Sequence, residues 1–186
     1  MTIKLALDKL LGVEGVYSDH PLDRGGETFC GIARTYWPRW PGWAVIDRLK
    51  EQGRTVARST VLDALVSEFY DANFWSPLGC SQYPSDLLAY EVFEAGVNCS
   101  VHQSSIFLQD ALNLLNRNGK LWPELKLDGR VGPATVATVR KALAEPRGEA
   151  HLVTLINRLQ ASYYIELARR SPTQEAFLRG WLSRTV

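Results

Sequence analysis

Two carboxyl groups and one hydroxyl group near the start of the chain have the types and the spacing that acid–base chemistry requires. Glu14 precedes Asp23 by nine residues, and Thr28 follows the pair Gly25 and Gly26. Cleavage of a glycosidic bond needs a protonated carboxyl that protonates the leaving oxygen. It also needs a carboxylate that activates water or stabilises the cationic sugar. The sequence therefore offers Glu14, Asp23 and Thr28 as a candidate catalytic set.

The surroundings of the two carboxyls assign them different roles. A helix predicted over residues 2–14 carries an apolar stripe that leads to Glu14, and Gly15 is suited to end that helix. Burial and the negative end of the helix dipole both raise the pKa of a carboxyl there, which favours a general acid. Asp23 lies in a polar loop with glycines, so we expect it to be ionised. The alternative is a solvated Glu at a helix end and an Asp that forms a turn.

The rest of the chain has the periodicity of helices and predicts an all-α fold. The spacing of apolar residues indicates helices over residues 43–52, 85–98, 102–116 and 150–169. Thr60 is the predicted cap of a further helix, while Pro133 and Pro172 fit the start of two others. The only strand signal is in short pieces near Thr28 to Ile32.

The composition is typical of a soluble globular protein and argues against several functions. Of the 186 residues, 46% are hydrophobic and 22% are charged, and the net charge of +1 gives no argument for nucleic-acid binding. Cys30, Cys80 and Cys99 lack metal-ligand spacing, so we expect free thiols and no metal. Asp8 and Lys9 interrupt the first apolar segment, and no apolar run is long enough for a bilayer. We therefore expect neither a signal peptide nor membrane insertion.

The segment from Glu14 to Ile32 resembles the signature of glycoside hydrolase family 108, which reads E-G-G-Y-x-x-x-x-x-D-x-G-G-x-T-x-x-G-I. Four later segments are similar to the peptidoglycan-binding half of that family: Phe93–Asn98, Phe107–Asn113, Asp128–Thr135 and Phe177–Arg184. The family comprises phage and prophage muramidases. The resemblance thus implies a lysozyme-like helical catalytic lobe at residues 1–97, merged with a helical peptidoglycan-binding lobe at residues 98–186. It implies no cofactor.

By this resemblance Glu14 is the catalytic acid. Asp23 and Thr28 are also similar to the Asp and Thr of phage-type lysozymes, which have five residues between the two where this chain has four. In that role Thr28 would orient a water molecule. The chain departs from the family signature at two other positions, because Val16 replaces the second glycine and His20 stands where an Asp is common. If that Asp acts in catalysis, a neighbouring aspartate must substitute for it, either Asp19 or Asp23.

One helix face provides candidates for contact with a sugar polymer. Leu87, Glu91, Glu94 and Asn98 share a face of the helix predicted over residues 85–98. Glu91 or Glu94 could bind sugar hydroxyls or support Glu14. Asn98 is a further substrate-binding candidate, although an Asn at a helix end also serves as a cap. The alternative is an ordinary solvated face.

Aromatic residues provide a second set of candidates. Tyr36, Trp37, Trp40 and Trp43 crowd an irregular region, where they form either a stacking wall for N-acetyl sugars or a small aromatic core. Trp37 is our candidate from this group. Tyr17, the tyrosine of the signature, completes the predicted substrate-binding set.

These observations favour a muramidase that cuts glycan strands between N-acetylmuramic acid and N-acetylglucosamine. A lytic transglycosylase and a non-catalytic peptidoglycan-binding protein are the alternatives. We expect a monomer whose partner is peptidoglycan and not nucleic acid. The missing signal peptide agrees with a protein made in the cytoplasm that reaches the cell wall after a holin-type protein permeabilises the membrane. It agrees equally with export by a non-classical route.

Overall fold

The computed structural model describes residues 1–12, 16–19 and 26–185. The described part is mostly helical, as the sequence predicts, with one small sheet of three short strands. The chain forms two compact units, residues 2–72 and residues 73–186 together with Met1. These units are defined by internal packing, and the lobe boundary between residues 97 and 98 stays a prediction.

In the first unit, helix α1 (Ile3–Leu11) begins at a Thr2 cap, whose hydroxyl accepts a hydrogen bond from the Leu5 amide at 3.4 Å. The helix buries Ala6 and Leu7 and ends at Leu11. Gly12 follows with a φ of 54°, a left-handed conformation that suits glycine and stops a helix. The prediction that this helix runs to residue 14 was therefore wrong, because Gly12 ends it before Gly15 is reached.

The sheet consists of β1 (Tyr17–Ser18), β2 (Thr28–Phe29) and β3 (Ile32–Ala33), antiparallel and in that order. Cys30 and Gly31 join β2 to β3 with φ angles of 47° and 78°. Two consecutive positive φ angles are typical of the tight hairpin turn that matches the twist of the strands. The Tyr70 hydroxyl donates to the Cys30 carbonyl at 2.9 Å and closes this turn against the helix that carries it.

Two further helices complete this unit, α2 (Gly42–Glu51) and α3 (Thr60–Tyr70). Ser59 caps α3 by accepting a hydrogen bond from the Leu62 amide at 3.3 Å, so the predicted cap at Thr60 was wrong by one residue. A π-helical turn, Asp71–Trp75, continues the chain from α3. The core of the unit includes Ala6, Phe29, Ile32, Trp43, Ile46 and Leu62.

The second unit is built on α4 (Asp86–Cys99), α5 (Val101–Leu115) and α7 (Gly148–Arg170), which pack on one another. Ser85 caps α4 and accepts from the Leu88 amide at 3.0 Å. The smaller helices are α6 (Pro133–Ala144), which begins at Pro133 as predicted, and α8 (Glu175–Leu182). Trp181 of α8 stacks on Tyr164 of α7 with ring centroids 5.1 Å apart. Stacking of this kind anchors the last helix on α7.

The segment between α5 and α6 contains a polar turn around Gly129. Gln109 of α5 donates from Nε2 to Asp128 Oδ1 and to the Arg130 carbonyl, both at 2.9 Å. The Gly129 amide returns a hydrogen bond to Gln109 Oε1 at 3.1 Å. The buried side-chain amide of Gln109 thus supplies hydrogen-bond partners for acceptors and for a backbone donor of the turn.

Among the described residues, no helix combines the length and the apolar character needed to cross a membrane.

Candidate functional site

Two of the three predicted catalytic residues, Glu14 and Asp23, lie outside the described residues, as does His20. The nearest described residues are Gly12 and Val16 around Glu14, and Asp19 and Gly26 around Asp23. The site can therefore be built from the side chains that flank these positions in the sequence.

Thr28 lies in the middle strand of the sheet and is half-buried. Its hydroxyl donates to the Gly26 carbonyl at 3.2 Å, and its backbone pairs with Ser18 of β1. Because the proton of the hydroxyl is used in this bond, the oxygen retains lone pairs that can accept a hydrogen bond from a water or a substrate hydroxyl.

Next to Thr28, Glu27 is the centre of a charged network. Its side chain is only 9% exposed and accepts from Tyr17 at 2.7 Å, from Arg34 at 2.7 Å and from Lys50 at 3.1 Å. Burial alone would raise the pKa of the Glu27 carboxyl, but the hydrogen bonds from Arg34, Tyr17 and Lys50 outweigh burial and lower it. Glu27 is therefore a carboxylate that is stable as an anion. Tyr17, a predicted substrate-binding residue, has its hydroxyl engaged here.

Arg34 and Lys50 connect this network to α2. Arg34 binds Asp47 through two hydrogen bonds of 2.7 and 2.8 Å, and its guanidinium lies 5.2 Å from the Trp43 ring centroid. Lys50 also binds Asp19 at 3.0 Å. A hydrogen bond from Lys50 lowers the pKa of Asp19, and one from Arg34 lowers the pKa of Asp47. Both aspartates therefore stay ionised.

The aromatic region divides into buried and exposed members. Trp40 and Trp43 are 6% and 2% exposed and belong to the core. Tyr36 is 74% exposed and Trp37 39% exposed, with the Trp37 ring set edge-on to Phe69 at 4.8 Å. An open indole face held by a neighbouring ring can stack on a sugar, so Trp37 stays the candidate for that role.

The other substrate-binding candidates lie on α4 in the second unit. Glu94 is buried and 6% exposed, whereas Glu91 is half-buried and Asn98 is exposed. Asn98 donates to Glu94 Oε1 at 2.7 Å and accepts from Arg184 at 2.7 Å. Burial raises the pKa of Glu94, and its contacts with Gln160 and Arg184 offset this only in part. The structure thus joins Glu94 and Asn98 directly.

No group of three or more described His, Cys, Asp or Glu residues is arranged to hold a metal ion. Cys30, Cys80 and Cys99 are free thiols, and burial raises the pKa of Cys99 to about 11. A thiol with such a pKa is a poor nucleophile at neutral pH.

Comparison with known families identifies the chain. The model of the family described as Glycosyl hydrolase 108 matches residues 7–99, half of the sequence. The chain belongs to the glycosyl hydrolase 108 family. A second family model, described as Predicted Peptidoglycan domain, matches residues 103–186. This glycosyl hydrolase 108 member is accordingly a peptidoglycan hydrolase, a glycoside hydrolase with peptidoglycan as its substrate.

The chain is also similar to the solved structure of Brucella abortus SagA. The two are 20% identical, with a TM-score of 0.62 over 98% of this chain and 88% of that chain. A likeness at this identity shows a shared fold. No curated protein matches the chain.

Sequence reasoning missed the network that surrounds Glu27 in this glycosyl hydrolase 108 chain. Glu27 stands at a variable position of the signature, directly before Thr28, so the signature does not mark it as functional. Asp47 and Lys50 are three residues apart, a spacing that places two side chains on one helix face. That spacing was the one signal that could have indicated a shared partner.

Proposed function

We propose that the protein is an N-acetylmuramidase that hydrolyses the β-1,4 bond between N-acetylmuramic acid and N-acetylglucosamine, with Glu14 as its general acid. The observation that carries this proposal is the family match over residues 7–99, which contains the complete segment from Glu14 to Ile32. Family membership supports a glycosidase, and glycosidases of most families use a pair of carboxyl groups in the way proposed here.

In the proposed reaction, Glu14 donates its proton to the glycosidic oxygen, and the bond between that oxygen and the sugar C1 breaks. Water then adds to C1 and gives up a proton. If Asp23 takes this proton, the configuration at C1 is inverted. If Asp23 instead bonds to or stabilises C1 from the opposite face, the Glu14 carboxylate takes the proton and the configuration is retained. The anomer formed first, read by proton NMR, distinguishes these two routes.

Thr28 is proposed to place the water or a sugar hydroxyl, since its oxygen retains lone pairs after the hydrogen bond to Gly26. Trp37 is proposed to stack on a sugar ring. On α4, Glu91 and Asn98 are proposed to contact sugar hydroxyls, and Glu94 to hold Asn98 through their 2.7 Å hydrogen bond. Residues 98–186 are proposed to form the lobe that holds the polymer.

The proposal is tested with purified protein on a suspension of bacterial sacculi. The wild type should clear the suspension. Glu14→Gln should clear it about a hundredfold to ten-thousandfold more slowly, because a general acid typically accelerates a reaction by about that factor. Glu51→Gln, an exposed change at the end of α2, is the control and should match the wild type.

Mass spectrometry of the released muropeptides separates the alternative functions. Muropeptides with a reducible end support hydrolysis, whereas anhydro ends would show a lytic transglycosylase and overturn the proposal. Protein that pellets with sacculi without clearing them would show a binding protein instead.

We propose further that the protein acts on the cell wall as a monomer, after a holin-type protein has permeabilised the membrane. Light scattering should give a mass close to 20.9 kDa. Expression inside a bacterium should lyse the culture only when a membrane-permeabilising protein is produced with it. Lysis without that protein would overturn the release route and leave the enzymatic proposal intact.

A further inference from the structure

Three aromatic rings of the second unit form a near-parallel stack that leads from its core to its surface. Tyr164 of α7 is buried, and Trp181 of α8 stacks on it with ring centroids 5.1 Å apart and an angle of 27° between the planes. Phe177 of α8 continues the stack, 6.0 Å from Trp181 and at 25° to it. Because the first ring is buried in the core, the stack fixes the plane of the last ring.

The last ring of this stack is open to solvent. The Phe177 side chain is 57% exposed, and none of the eight residues of α8, all of which the structure describes, is buried. A single exposed apolar residue is ordinary on a protein surface. Phe177 differs from that case because its plane is held by a neighbouring ring, and an open ring held in this way can stack on the apolar face of a sugar.

Hydrogen-bond donors lie on the same side of α8 as the two rings. Phe177, Trp181 and Arg184 are spaced by four and three residues, which places their side chains along one side of a helix. The Arg184 amide donates to the Trp181 carbonyl at 3.2 Å, so the helical turn extends to Arg184. The Arg184 guanidinium donates to Asn98 at 2.7 Å. Since a guanidinium has several N–H groups, others can donate to the hydroxyl or amide oxygens of a sugar.

The size and the charge of this surface favour a glycan over the other partners that an apolar helix face can have. A helix of eight residues is about 12 Å long, whereas a stable interface between two proteins involves about 20–30 residues on each side. A helix that binds a membrane surface is rich in Lys and Arg, but the charged residues of α8 are Glu175 and Arg179. The family model described as Predicted Peptidoglycan domain matches residues 103–186, which include all of α8.

We propose that Phe177 is a glycan-binding residue of the second unit, which stacks its ring on an N-acetyl sugar of a peptidoglycan strand. Trp181 fixes the plane of the Phe177 ring, and Arg184 supplies hydrogen-bond donors on the same side of the helix. This inference rests on the proposed function, because it takes the glycan strand to be the substrate. The contact takes no part in bond cleavage, so its loss weakens binding of the polymer and leaves kcat unchanged.

The test is a pelleting assay on purified sacculi, made in the Glu14→Gln background so that the polymer is not consumed. The assay is repeated on insoluble chitin, which contains N-acetylglucosamine but no peptide and lacks the bond that the proposed activity cleaves. Phe177→Ala should raise the half-saturating concentration of both polymers about fivefold, the equivalent of one aromatic contact. Phe177→Tyr keeps the ring and should bind like the unsubstituted protein. Phe177→Leu keeps an apolar side chain without a ring and should bind like Phe177→Ala.

Leu114→Ala is the control, because Leu114 of α5 is an apolar residue of the same unit and is 61% exposed. It should bind like the unsubstituted protein. Melting temperatures are compared in parallel, and they should change little because the substituted side chains are exposed. The inference is overturned if Phe177→Ala pellets as well as the unsubstituted protein, if Leu114→Ala is equally impaired, or if the protein pellets with neither polymer.

Three further measurements distinguish a glycan from other occupants of the surface. A loss of binding confined to sacculi would assign Phe177 to the peptide stems. A dimer that Phe177→Ala converts to a monomer in light scattering would assign Phe177 to contact with a second copy. Binding to phosphatidylglycerol vesicles that Phe177→Ala abolishes would assign it to a membrane. Each of these results overturns the glycan assignment.

Clearing of sacculi by protein with Glu14 intact separates this inference from the proposed function. Phe177→Ala should raise the half-saturating concentration of sacculi and change kcat by less than about twofold. A larger fall in kcat would overturn the inference, because it would place Phe177 in the chemical step. A wild type that pellets through Phe177 but clears no sacculi would overturn the proposed hydrolysis and leave the glycan contact standing.

Discussion

Gln160 of α7 donates a hydrogen bond from Nε2 to Oε2 of Glu94 on α4 at 3.1 Å, and both side chains are buried. The same Nε2 donates to the Tyr164 hydroxyl at 3.0 Å. Arg184, beyond the end of α8, lies 3.7 Å from the other Glu94 oxygen. A single carboxylate therefore joins three helical segments of the second unit, and the cost of keeping it charged while buried makes that unit sensitive to pH.

We expect Glu94→Gln to change how stability depends on pH. Burial raises the pKa of the Glu94 carboxyl above its ordinary value of 4.5, and the hydrogen bond from Gln160 offsets this only in part. As the pH rises from 4.5 through the raised pKa, the unfolded chain gives up the proton more readily than the folded chain, so the wild type loses stability. Glu94→Gln cannot titrate and lacks this loss. Urea unfolding at several pH values should show that the free energy of unfolding of the variant increases relative to that of the wild type from about pH 4 to pH 7.

A constant difference between the two proteins across that range would contradict this prediction. Glu166→Gln is a suitable control, because Glu166 is exposed on α7 and pairs with Arg169 at the surface. Its unfolding curves should follow those of the wild type at each pH.

Glu27→Gln should have the opposite dependence on pH. Burial acts to raise the pKa of Glu27, but the hydrogen bonds from Arg34, Tyr17 and Lys50 hold it below 4.5. Glu27 therefore stabilises the fold fully above pH 4.5, and this contribution is lost as the pH falls through the lowered pKa. At pH 7 the variant should be less stable by about 2 kcal/mol, because Arg34 and Lys50 lose a charged partner. The gap should narrow as the pH falls below 4.5, and a gap that stays constant with pH would contradict the argument.

The sequence predicted the helices well because their apolar periodicity is a local signal. Four of them, α2, α4, α5 and α7, lie within two residues of the predicted ranges. Their ends were less predictable. Gly12 and Gly15 are both suitable stops for α1, and Ser59 and Thr60 are both suitable caps for α3, so the local sequence does not choose between them.

The charged network was not predictable for a different reason. Lys50 and Asp19 are 31 positions apart, and Arg34 and Asp47 are 13 apart. Pairing at such distances depends on how the sheet and α2 are packed, and periodicity within a helix carries no information about it. The exposure of the aromatic side chains could not be predicted from the sequence either. Nothing in the spacing of the four neighbouring aromatic residues indicates that Trp40 and Trp43 are buried whereas Tyr36 is exposed.

Trp37→Ala should weaken binding of the polymer more than it slows the chemistry. If the 39% exposed ring stacks on a sugar, its loss should raise the half-saturating concentration of sacculi by about tenfold, the equivalent of one aromatic contact. Trp37→Phe keeps an aromatic ring, so its half-saturating concentration should lie between those of the wild type and Trp37→Ala. Tyr36→Ala is the control, because Tyr36 is the adjacent aromatic and is 74% exposed. An equal effect of both alanine changes, or a fall in kcat alone, would count against stacking at Trp37.

Gly129→Ala should destabilise the second unit through two separable effects. Gly129 has a φ of 68°, and an added Cβ would lie 2.0 Å from His102 Nδ1. The positive φ alone costs about 1 kcal/mol for alanine, and Gly119→Ala measures this part, since Gly119 has a φ of 77° with nothing within 4 Å of its added Cβ. Because His102 is exposed and its ring can move, we expect the contact to add only about 1 kcal/mol. Urea unfolding should therefore give a total loss of about 2 kcal/mol for Gly129→Ala, and His102→Ala in the same chain should recover the second half of it. Equal losses of unfolding free energy for the two glycine variants would show that the His102 ring moves away with no loss of stability.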